Sequence, residues 1–447
     1  MLDWTFNRRA ALALLSGAAF GWAGPARAQE GGDHRFRRLQ DLIDDMVSER
    51  RLAGAVVSVK IKGAPTQFLS AGRVAMDAEE RATPDTLYRI YSMTKPVTGL
   101  AGMLLIQDGV LSLDQPVTDI VPEFSAMRVM IGGDPQTTRP AERQMTIRHL
   151  LTHTAGLSYV IGNDGRLDEY YRAHGIFAAG PSNVLIAAPT DGAEPASLEE
   201  FAARVAQAPL SYEPGSWWRY SISLDILGLV IQRAASMPFD EFLRTRIFAP
   251  LRMTDTFFRL PPEKASRFTT NYRLIDRQLL VADDRANSPY AAESVVPYGG
   301  SGLISSARDY ARFVEMLLNE GALDGVRVFT RETIRAARAN LLPEGIDRAN
   351  SGLSGDDFGA GVGIRTAASA RQGQEPPGSY SWGGAAGTRF WVDPVNELGV
   401  VFMTQIMPPD AYDLTNAVAR AFYADYADLP EIERTPVDML SRPRRNF

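Results

Sequence analysis

The sequence predicts an α/β plus all-α protein in which both ends of the chain build one antiparallel sheet and a large helical insertion separates them. Short apolar and β-branched stretches typical of strands lie near the two ends of the chain. Segments with helical spacing and long loops occupy the middle. Apolar residues make up 45% of the 447 residues, enough to form one large core or two joined cores.

The first predicted elements are a helix and a hairpin. Apolar residues recur at helical spacing from Arg37 to Arg51. The runs 55–61 and 66–69 are rich in β-branched and apolar residues, and a Gly-Ala-Pro turn separates them. We therefore expect two neighbouring antiparallel strands after the first helix.

Capping signals mark two helices in the middle of the chain. Ser197 precedes Glu200 by three residues, the spacing of a capping box. Ser306 precedes Asp309 in the same way, and the apolar stripe that follows stops at Gly321.

The last part of the chain again looks strand-like. Strands are expected at 361–365, 388–392 and 398–404, and a final helix at 414–423. Polar stretches at 191–195 and 345–357 are expected to be surface loops. We accordingly predict an α/β domain made of 35–110 and 355–447, with 111–354 as a mainly helical domain.

Residues 1–28 have the composition of a signal peptide. Arg8 and Arg9 precede an apolar run, and Ala26-Arg27-Ala28 offers a small-residue cleavage site. The run is shorter than the roughly 20 residues that cross a bilayer, which disfavours a membrane anchor. We therefore predict export to the periplasm or the extracellular space, with the paired arginines pointing to the twin-arginine route. No stable membrane insertion is expected after the segment is removed.

Charge and composition exclude several classes of partner and chemistry. The net charge is −6, and removing Arg8, Arg9, Arg27 and Asp3 with the signal segment makes it −8. Nucleic acid is therefore not an expected partner. The chain has no cysteine, so disulfides, thiolate metal sites and a cysteine nucleophile are all excluded. The sequence does not predict an oligomeric state.

Ser92-Met93-Thr94-Lys95 is the strongest chemical signal. Of four lysines, Lys95 alone has a serine three residues earlier, and that spacing places amine and hydroxyl on one helix face. Pro96 fits the opening turn of a helix, so Ser92 should lie near a helix N-terminus, where free N–H groups favour negative charge. The spacing also fits a capping serine beside a surface lysine. A catalytic lysine would need surroundings that favour its neutral form.

Five ordered segments resemble those of β-lactamase-like serine carboxylesterases of the family VIII type, which are related to class C β-lactamases and penicillin-binding D,D-peptidases. The resemblance spans roughly residues 35 to 425 and implies the fold of those proteins. The segments are Tyr91-Ser-Met-Thr-Lys-Pro96, His149-Leu-Leu-Thr-His-Thr-Ala-Gly156, Pro214-Gly215 leading to Tyr220-Ser221, Tyr298-Gly-Gly-Ser-Gly-Leu303 and Trp382-Gly383-Gly384.

The resemblance implies a role for several residues. Ser92 would be the acylated nucleophile, and Tyr220, tuned by Lys95, the general base and acid. A phenol held against an ammonium is driven toward phenolate, which makes this role chemically reasonable. The backbone N–H groups of Ser92 and Ala385 would form the oxyanion hole, because Gly383 and Gly384 let a strand approach a ligand closely. The resemblance implies no metal or organic cofactor.

Two departures from the β-lactamase pattern favour esters as substrates. Ile222 replaces an asparagine that usually follows the tyrosine by two positions, and Trp382 replaces the lysine of the third motif. Both changes weaken recognition of amides and carboxylates, and an aromatic pocket suits a hydrophobic small-molecule ester. The binding residues would include Trp382, Gly383 and Gly384. Further aromatic residues predicted to line the pocket are Tyr159, Trp217, Trp218, Tyr298 and Tyr380.

Other chemistries fit the sequence less well. A Ser-His-Asp triad is disfavoured because the chain has four histidines and no G-x-S-x-G elbow. His149 and His153 have a zinc-like spacing, but Leu150 stands where a metalloprotease needs glutamate, so we expect them to be structural. Two alternatives to an esterase stay open: a β-lactamase or D,D-peptidase acting on amides, and a non-catalytic penicillin-binding sensor.

Overall fold

The structure is a computed structural model that describes residues 34–160, 165–177, 193–430 and 434. The predicted signal segment 1–28 and residues 191 and 192 lie outside these residues.

The helices of the described part are α1 (Arg37–Ser48), α2 (Thr94–Gln107), α3 (Ile147–Leu151), α4 (Arg166–Ala173), α5 (Leu198–Val205), α6 (Ser223–Ala235), α7 (Phe239–Leu243), α8 (Ala307–Leu318), α9 (Arg331–Ala337) and α10 (Leu414–Asp428). The strands of the described part are β1 (Gly54–Ile61), β2 (Gln67–Gly72), β3 (Leu87–Arg89), β4 (Arg128–Ile131), β5 (Asp134–Pro140), β6 (Asn271–Ile275), β7 (Gln278–Asp283), β8 (Ile304–Ser306), β9 (Ala322–Leu323), β10 (Val326–Arg327), β11 (Asp357–Phe358), β12 (Gly363–Ile364), β13 (Tyr380–Gly383), β14 (Arg389–Asp393), β15 (Leu398–Met403) and β16 (Ile406–Met407).

One seven-stranded antiparallel sheet combines strands from both ends of the described chain. Its order is β11-β12-β13-β14-β15-β1-β2. The central pair joins β1 to β15, with Val57 opposite Phe402 and Val59 opposite Val400. This arrangement confirms the predicted sheet and the predicted hairpin of β1 and β2.

Helices cover both faces of the sheet, so its central strands are buried on both sides. Val57 and Val59 of β1 face a core shared with α1 and α10, whereas Val56 faces the large core on the opposite side. The two faces take alternate residues, as the period of a strand requires. Helix α8 packs on the second face against β1 and β15. The architecture is thus the predicted sheet flanked by helices.

A cluster of helices carries the middle of the chain. Helix α6 lies at its centre and packs against α2, α3, α5 and α7. Leu224 to Ile231 of α6 are all buried, including Asp225. The cluster brings α2, which follows Ser92, next to α6, which follows Tyr220.

The described middle of the chain also contains three β-hairpins that the sequence analysis did not predict, the shortest of which pairs β9 with β10. Hairpin β4–β5 turns at Gly132 and Gly133, which both have positive φ. Hairpin β6–β7 turns at Asp276 and Arg277, which also have positive φ. Two consecutive residues with positive φ match the two-residue turns whose twist suits a hairpin. The turn Asp276-Arg277 contains no glycine, the residue by which such turns are usually recognised in a sequence.

The predicted helix boundaries are close to those observed. Ser197 and Ser306 each accept a hydrogen bond from the backbone N–H three residues later, as the capping signals predict. Helix α1 ends at Ser48, three residues earlier than predicted, because Arg50 adopts positive φ. The predicted division into two domains stays a prediction. In the part of the chain that the structure describes, no helix has the length and apolar character needed to cross a membrane.

A buried ion pair anchors the strand that leads to Ser92. Arg89, at the end of β3, is fully buried and donates to Asp283 over 2.7 Å and to the Thr269 carbonyl over 2.6 Å. Its guanidinium lies 4.0 Å from the centroid of the Phe268 ring. A buried charge is tolerated only when it is paired and hydrogen-bonded, as this one is.

Replacing Arg89 by methionine should lower the free energy of unfolding by about 3–5 kcal/mol, because Asp283 would stay buried without its cation. Denaturant unfolding of wild type and variant measures this loss. The matched control is Arg244→Met, whose exposed pair with Glu241 should leave the unfolding midpoint unchanged. Equal midpoints for all three proteins would contradict the prediction.

Candidate active site

Ser92 lies in a 3₁₀ turn, Tyr91–Met93, directly before α2. Its side chain is largely buried but reaches a large cavity. Pro96 occupies the first turn of α2, where its missing N–H costs no helical hydrogen bond. Ser92 therefore lies near a helix N-terminus, as the sequence predicts.

Lys95 is fully buried beside Ser92. Its Nζ lies 3.4 Å from Ser92 Oγ and donates over 2.7 Å to the backbone carbonyl of Gly300. The amine also lies 4.5 Å from the centroid of the Tyr220 ring and 5.3 Å from that of Tyr159. The spacing of serine and lysine therefore does place both groups on one face, and the alternative of a surface lysine is excluded.

Tyr220 arrives from the loop before α6. Its hydroxyl donates to Ser92 Oγ over 2.5 Å, although the two residues are 128 positions apart. The ring stacks on Tyr159 at 5.5 Å and lies 4.9 Å from the ring of His153. Hydroxyl, amine and phenol thus meet at one point, with spacing that permits direct proton transfer between the two oxygens.

The two histidines support this site from behind. His149 Nδ1 accepts from the backbone N–H of Thr146, and the Thr146 hydroxyl accepts from the His149 N–H, which caps α3. His153 is buried and its Nδ1 lies 3.0 Å from the Ser221 hydroxyl. Burial lowers the pKa of His149 to about 4 and that of His153 well below its usual range. Both rings are therefore neutral and structural, as expected from the sequence.

The turn after β13 closes the site from the sheet. Gly384 donates to the Thr388 carbonyl over 2.7 Å, and a Cβ on Gly384 would lie 2.4 Å from the carbonyl oxygen of Ile90, two residues before Ser92. Only glycine permits this approach. Ala385 follows, and none of the described residues accepts a hydrogen bond from its N–H. At Gly383 a Cβ would meet a single atom at 3.3 Å, so this glycine is less constrained.

An open cavity of about 910 Å³ leads to Ser92. Trp218, Tyr220 and Trp382 form an aromatic side of this cavity, and the Trp382 ring lies 5.7 Å from that of Tyr220. The remaining lining residues are Arg273, Leu274, Gly352, Gly383, Gly384, Ala385, Thr388, Arg389, Met407, Pro408, Pro409 and Thr415.

Four aromatic residues predicted to line the pocket lie outside this cavity. Tyr159 is buried behind Tyr220, and Tyr298 is buried against Phe201. Tyr380 is buried in the sheet and borders a separate small cavity. Trp217 is partly exposed and absent from the lining. Tyr159, Tyr298 and Tyr380 are buried, because aromatic residues beside a motif can point into the core as readily as into a pocket. A role of these four residues in substrate binding stays a prediction.

Asp225 is a buried residue of the site that the sequence analysis missed. It lies five residues after Tyr220 in the first turn of α6 and accepts the Gly300 N–H over 2.7 Å. Burial raises the pKa of Asp225 to about 7, and the nearby Lys95 charge opposes that rise. One signal for it was present in the sequence, because a single carboxylate interrupts the apolar run Ile222–Val230.

Arg273 and Arg389 were also missed. They are the charged residues among the described lining of the cavity. Arg389 is held by the buried carboxylate of Glu375 over 2.5 Å. Arg273 lies far along the chain from every motif, and Arg389 follows Gly384 by five residues without being part of a recognised pattern.

Comparison with known proteins agrees with the fold. The β-lactamase family model matches residues 39–425. The chain is 32% identical over 410 residues to esterase EstB of Burkholderia gladioli, covering 87% of this chain and 95% of EstB. It is 28% identical over 411 residues to monacolin J acid methylbutanoyltransferase of Aspergillus terreus, covering 85% and 94% of the two chains.

A solved structure supports the same fold. The hydrolase EstCE1, described as having promiscuous acyltransferase activity, superposes with a TM-score of 0.70 at 23% identity, covering 87% of this chain and 98% of EstCE1. At 23% identity, the similarity to EstCE1 supports the fold alone. The family match extends over most of the chain and includes the serine, lysine and tyrosine that meet at the cavity. This chain therefore belongs to the β-lactamase family, and the esterase EstB is among its relatives.

Proposed function

We propose that the protein hydrolyses carboxylic esters through an acyl-enzyme on Ser92, with Lys95 and Tyr220 as the proton-transfer pair. The contact of Tyr220 and Lys95 with Ser92 Oγ at the end of an open cavity carries this proposal. Each group lies within reach of its partner before any substrate binds. A nucleophile with a base already in hydrogen-bond contact is the arrangement that covalent catalysis needs.

In the reacting form we propose, Tyr220 has lost its proton and its phenolate oxygen accepts from the Ser92 hydroxyl, the reverse of the hydrogen bond in the structure. Ser92 Oγ attacks the ester carbonyl carbon as its proton passes to the Tyr220 oxygen. The positive charge of Lys95 stabilises that phenolate. Tyr220 then delivers the proton to the departing alkoxide as the C–O bond to the alcohol breaks. In the deacylation step, water gives a proton to Tyr220 as its oxygen attacks the acyl carbon. Tyr220 then returns the proton to Ser92 Oγ as the bond between Oγ and the acyl carbon breaks, and the acid is released.

The negative charge on the carbonyl oxygen would be stabilised by backbone donors. The N–H of Ser92 lies at the start of a helical segment, and that of Ala385 lies in the turn that Gly384 holds against the Ser92 segment. Donors fixed before the reaction stabilise a developing oxyanion without reorganisation. This pair is our assignment of the oxyanion hole.

Esters are favoured over amides and β-lactams as substrates. Ile222 is buried and cannot hydrogen-bond an amide, and Trp382 gives the cavity an aromatic wall instead of a cation at that position. The relative EstB is an esterase. We further propose Trp218, Trp382, Gly383 and Gly384 as substrate-contacting residues.

Acyl transfer to an alcohol is the second candidate function. The relative from Aspergillus terreus is a methylbutanoyltransferase, and the open cavity leaves space for an acceptor beside the acyl group. The same proton pair would activate an alcohol in place of water. A non-catalytic sensor is disfavoured because serine, lysine and tyrosine are all retained in contact.

Export is proposed on the sequence of residues 1–28 alone, with paired arginines, an apolar run and a small-residue cleavage site. The mature enzyme would then act in the periplasm or outside the cell.

Replacing Ser92 by alanine should abolish hydrolysis of a short p-nitrophenyl ester while the far-ultraviolet circular dichroism spectrum stays unchanged. Wild type incubated with a slowly hydrolysed ester should gain the mass of one acyl group, located on the peptide that contains Ser92 by fragmentation. The alanine variant should gain none. Acylation of another residue in the wild-type enzyme would refute the assigned nucleophile.

Replacing Tyr220 by phenylalanine should lower kcat about 10²–10⁴-fold, because the phenol that receives the serine proton is lost. KM should change far less, since the ring still lines the cavity. The control is Tyr170→Phe, at a phenol that only meets the carbonyl of Gln207 away from the site. Steady-state kinetics measure kcat and KM of wild type and both variants. A Tyr220→Phe enzyme with the kcat of wild type would show that the phenol is not part of the mechanism.

Substrate classes should rank in the order p-nitrophenyl ester, cephalosporin, D-Ala-D-Ala peptide when kcat/KM is compared. The ester leads because Ile222 offers no polar group to an amide and Trp382 places no cation for a carboxylate at the third motif. A faster cephalosporin or peptide reaction would reassign the protein to the β-lactamase or D,D-peptidase alternative. Single acylation by a β-lactam without turnover of any ester would point to the sensor.

A further inference from the structure

We propose that Asp225 is a positioning residue for Lys95, which it fixes through Gly300 and whose positive charge it balances. This inference rests on the proposed function, because it explains how the lysine of that site is held as a buried ammonium. The carboxylate itself does not contact Ser92 or the cavity among the described residues.

Gly300 connects the two charged groups. Its N–H donates to Asp225 Oδ1 over 2.7 Å, and its carbonyl accepts from Lys95 Nζ over 2.7 Å. The carboxylate therefore orients the residue whose carbonyl fixes the amine. A displaced Gly300 carbonyl would move Nζ away from Ser92 and from the Tyr220 ring.

The fit between Asp225 and Gly300 leaves no room for a side chain. A Cβ on Gly300 would lie 2.5 Å from Asp225 Oδ2. That second oxygen has no hydrogen-bond partner among the described residues. A fully buried carboxylate with one oxygen unsatisfied is expensive to keep ionised unless a cation faces it. Lys95 is the cation whose charge acts on it.

The other groups that face Asp225 are neutral phenols. Tyr159, from the loop after α3, and Tyr298, from the loop before β8, both have their pKa raised by burial and further by the charge of Asp225. Arg148 of α3 and Arg204 of α5 are engaged in ion pairs of their own with Asp114 and Glu200. Glu199 of α5 and Glu241 of α7 pair with Arg233 and Arg244, and Asp240 of α7 is exposed. Balance of the Lys95 charge therefore depends on Asp225.

This arrangement makes the site sensitive to pH near neutrality. Burial raises the pKa of Asp225 to about 7, so the carboxyl is neutral below that pH and ionised above it. Below that pH, the neutral carboxyl no longer balances the Lys95 charge and holds the Gly300 N–H less firmly, so the Lys95 amine is less well fixed beside Ser92. Activity should therefore rise as the pH increases through this value.

The test is Asp225→Asn, which keeps an oxygen acceptor for the Gly300 N–H and removes the charge. We expect kcat/KM for a p-nitrophenyl ester to fall about 10²-fold above neutral pH, as a small misplacement of a catalytic group does. The loss should lie in kcat more than in KM, because Asp225 does not line the cavity. The rise of kcat/KM with an apparent pKa near 7 in wild type should disappear in the variant.

Asp309→Asn is the matched control. Asp309 is another buried carboxylate, accepting the Asp255 N–H over 2.6 Å and the Thr256 hydroxyl over 2.9 Å. Burial raises its pKa to about 6, but it lies outside the site. The Asp309 variant should lose thermal stability and keep both the rate and the pH dependence of wild type.

The pH dependence of wild-type acylation, followed by mass spectrometry with a slow ester, gives a second measurement that needs no variant to fold. A wild-type acylation rate that stays flat through neutral pH would overturn the proposal, as would an Asp225→Asn enzyme with the wild-type rate and midpoint. Failure of this inference is distinguishable from failure of the proposed function. Ser92→Ala should acylate nowhere, whereas Asp225→Asn should acylate slowly at Ser92.

Discussion

Burial of the Lys95 amine is the physical constraint around which the site is arranged. An isolated ammonium taken out of water costs several kcal/mol. The surroundings offset that cost with the Gly300 carbonyl, the Ser92 oxygen, the faces of two tyrosine rings and the buried charge of Asp225. These contacts come from four separate parts of the chain. The helix cluster centred on α6 must therefore be assembled before the lysine is held in place.

The two halves of the site come from different layers of the fold. Helices α2 and α6 and the loops before them position Ser92, Lys95 and Tyr220, and the sheet supplies the turn after β13. Gly384 joins these layers, because its missing side chain lets the turn reach the backbone of Ile90. The Arg89–Asp283 pair holds the strand that leads into the Ser92 turn. Ser92 is thus fixed from both sides.

Local chemistry was predictable from the sequence, and long-range geometry was not. Three-residue spacing sufficed to bring Ser92 and Lys95 together, because a helix imposes it. Tyr220 lies 128 residues away, so its place depended on resemblance to a family. Asp225 interrupts an apolar helix without any motif, and its meaning depends on Gly300, 75 positions later. The side chains of Tyr159 and Tyr298 point into the core because of contacts with residues distant in the sequence, and no local sequence pattern predicts such contacts.

The pairing of β1 with β15 has a consequence for how the molecule is made. Val59 of β1 pairs with Val400 of β15, which is synthesised 341 residues later. The centre of the sheet therefore cannot form until nearly the whole chain has left the ribosome. Until then the apolar β1–β2 hairpin has an open edge, which is a template for association with other chains. Slow assembly is the expected result of such distant partners. A chain terminated before residue 398 would lack β15, so the edge of β1 would stay unpaired and we expect the chain to aggregate.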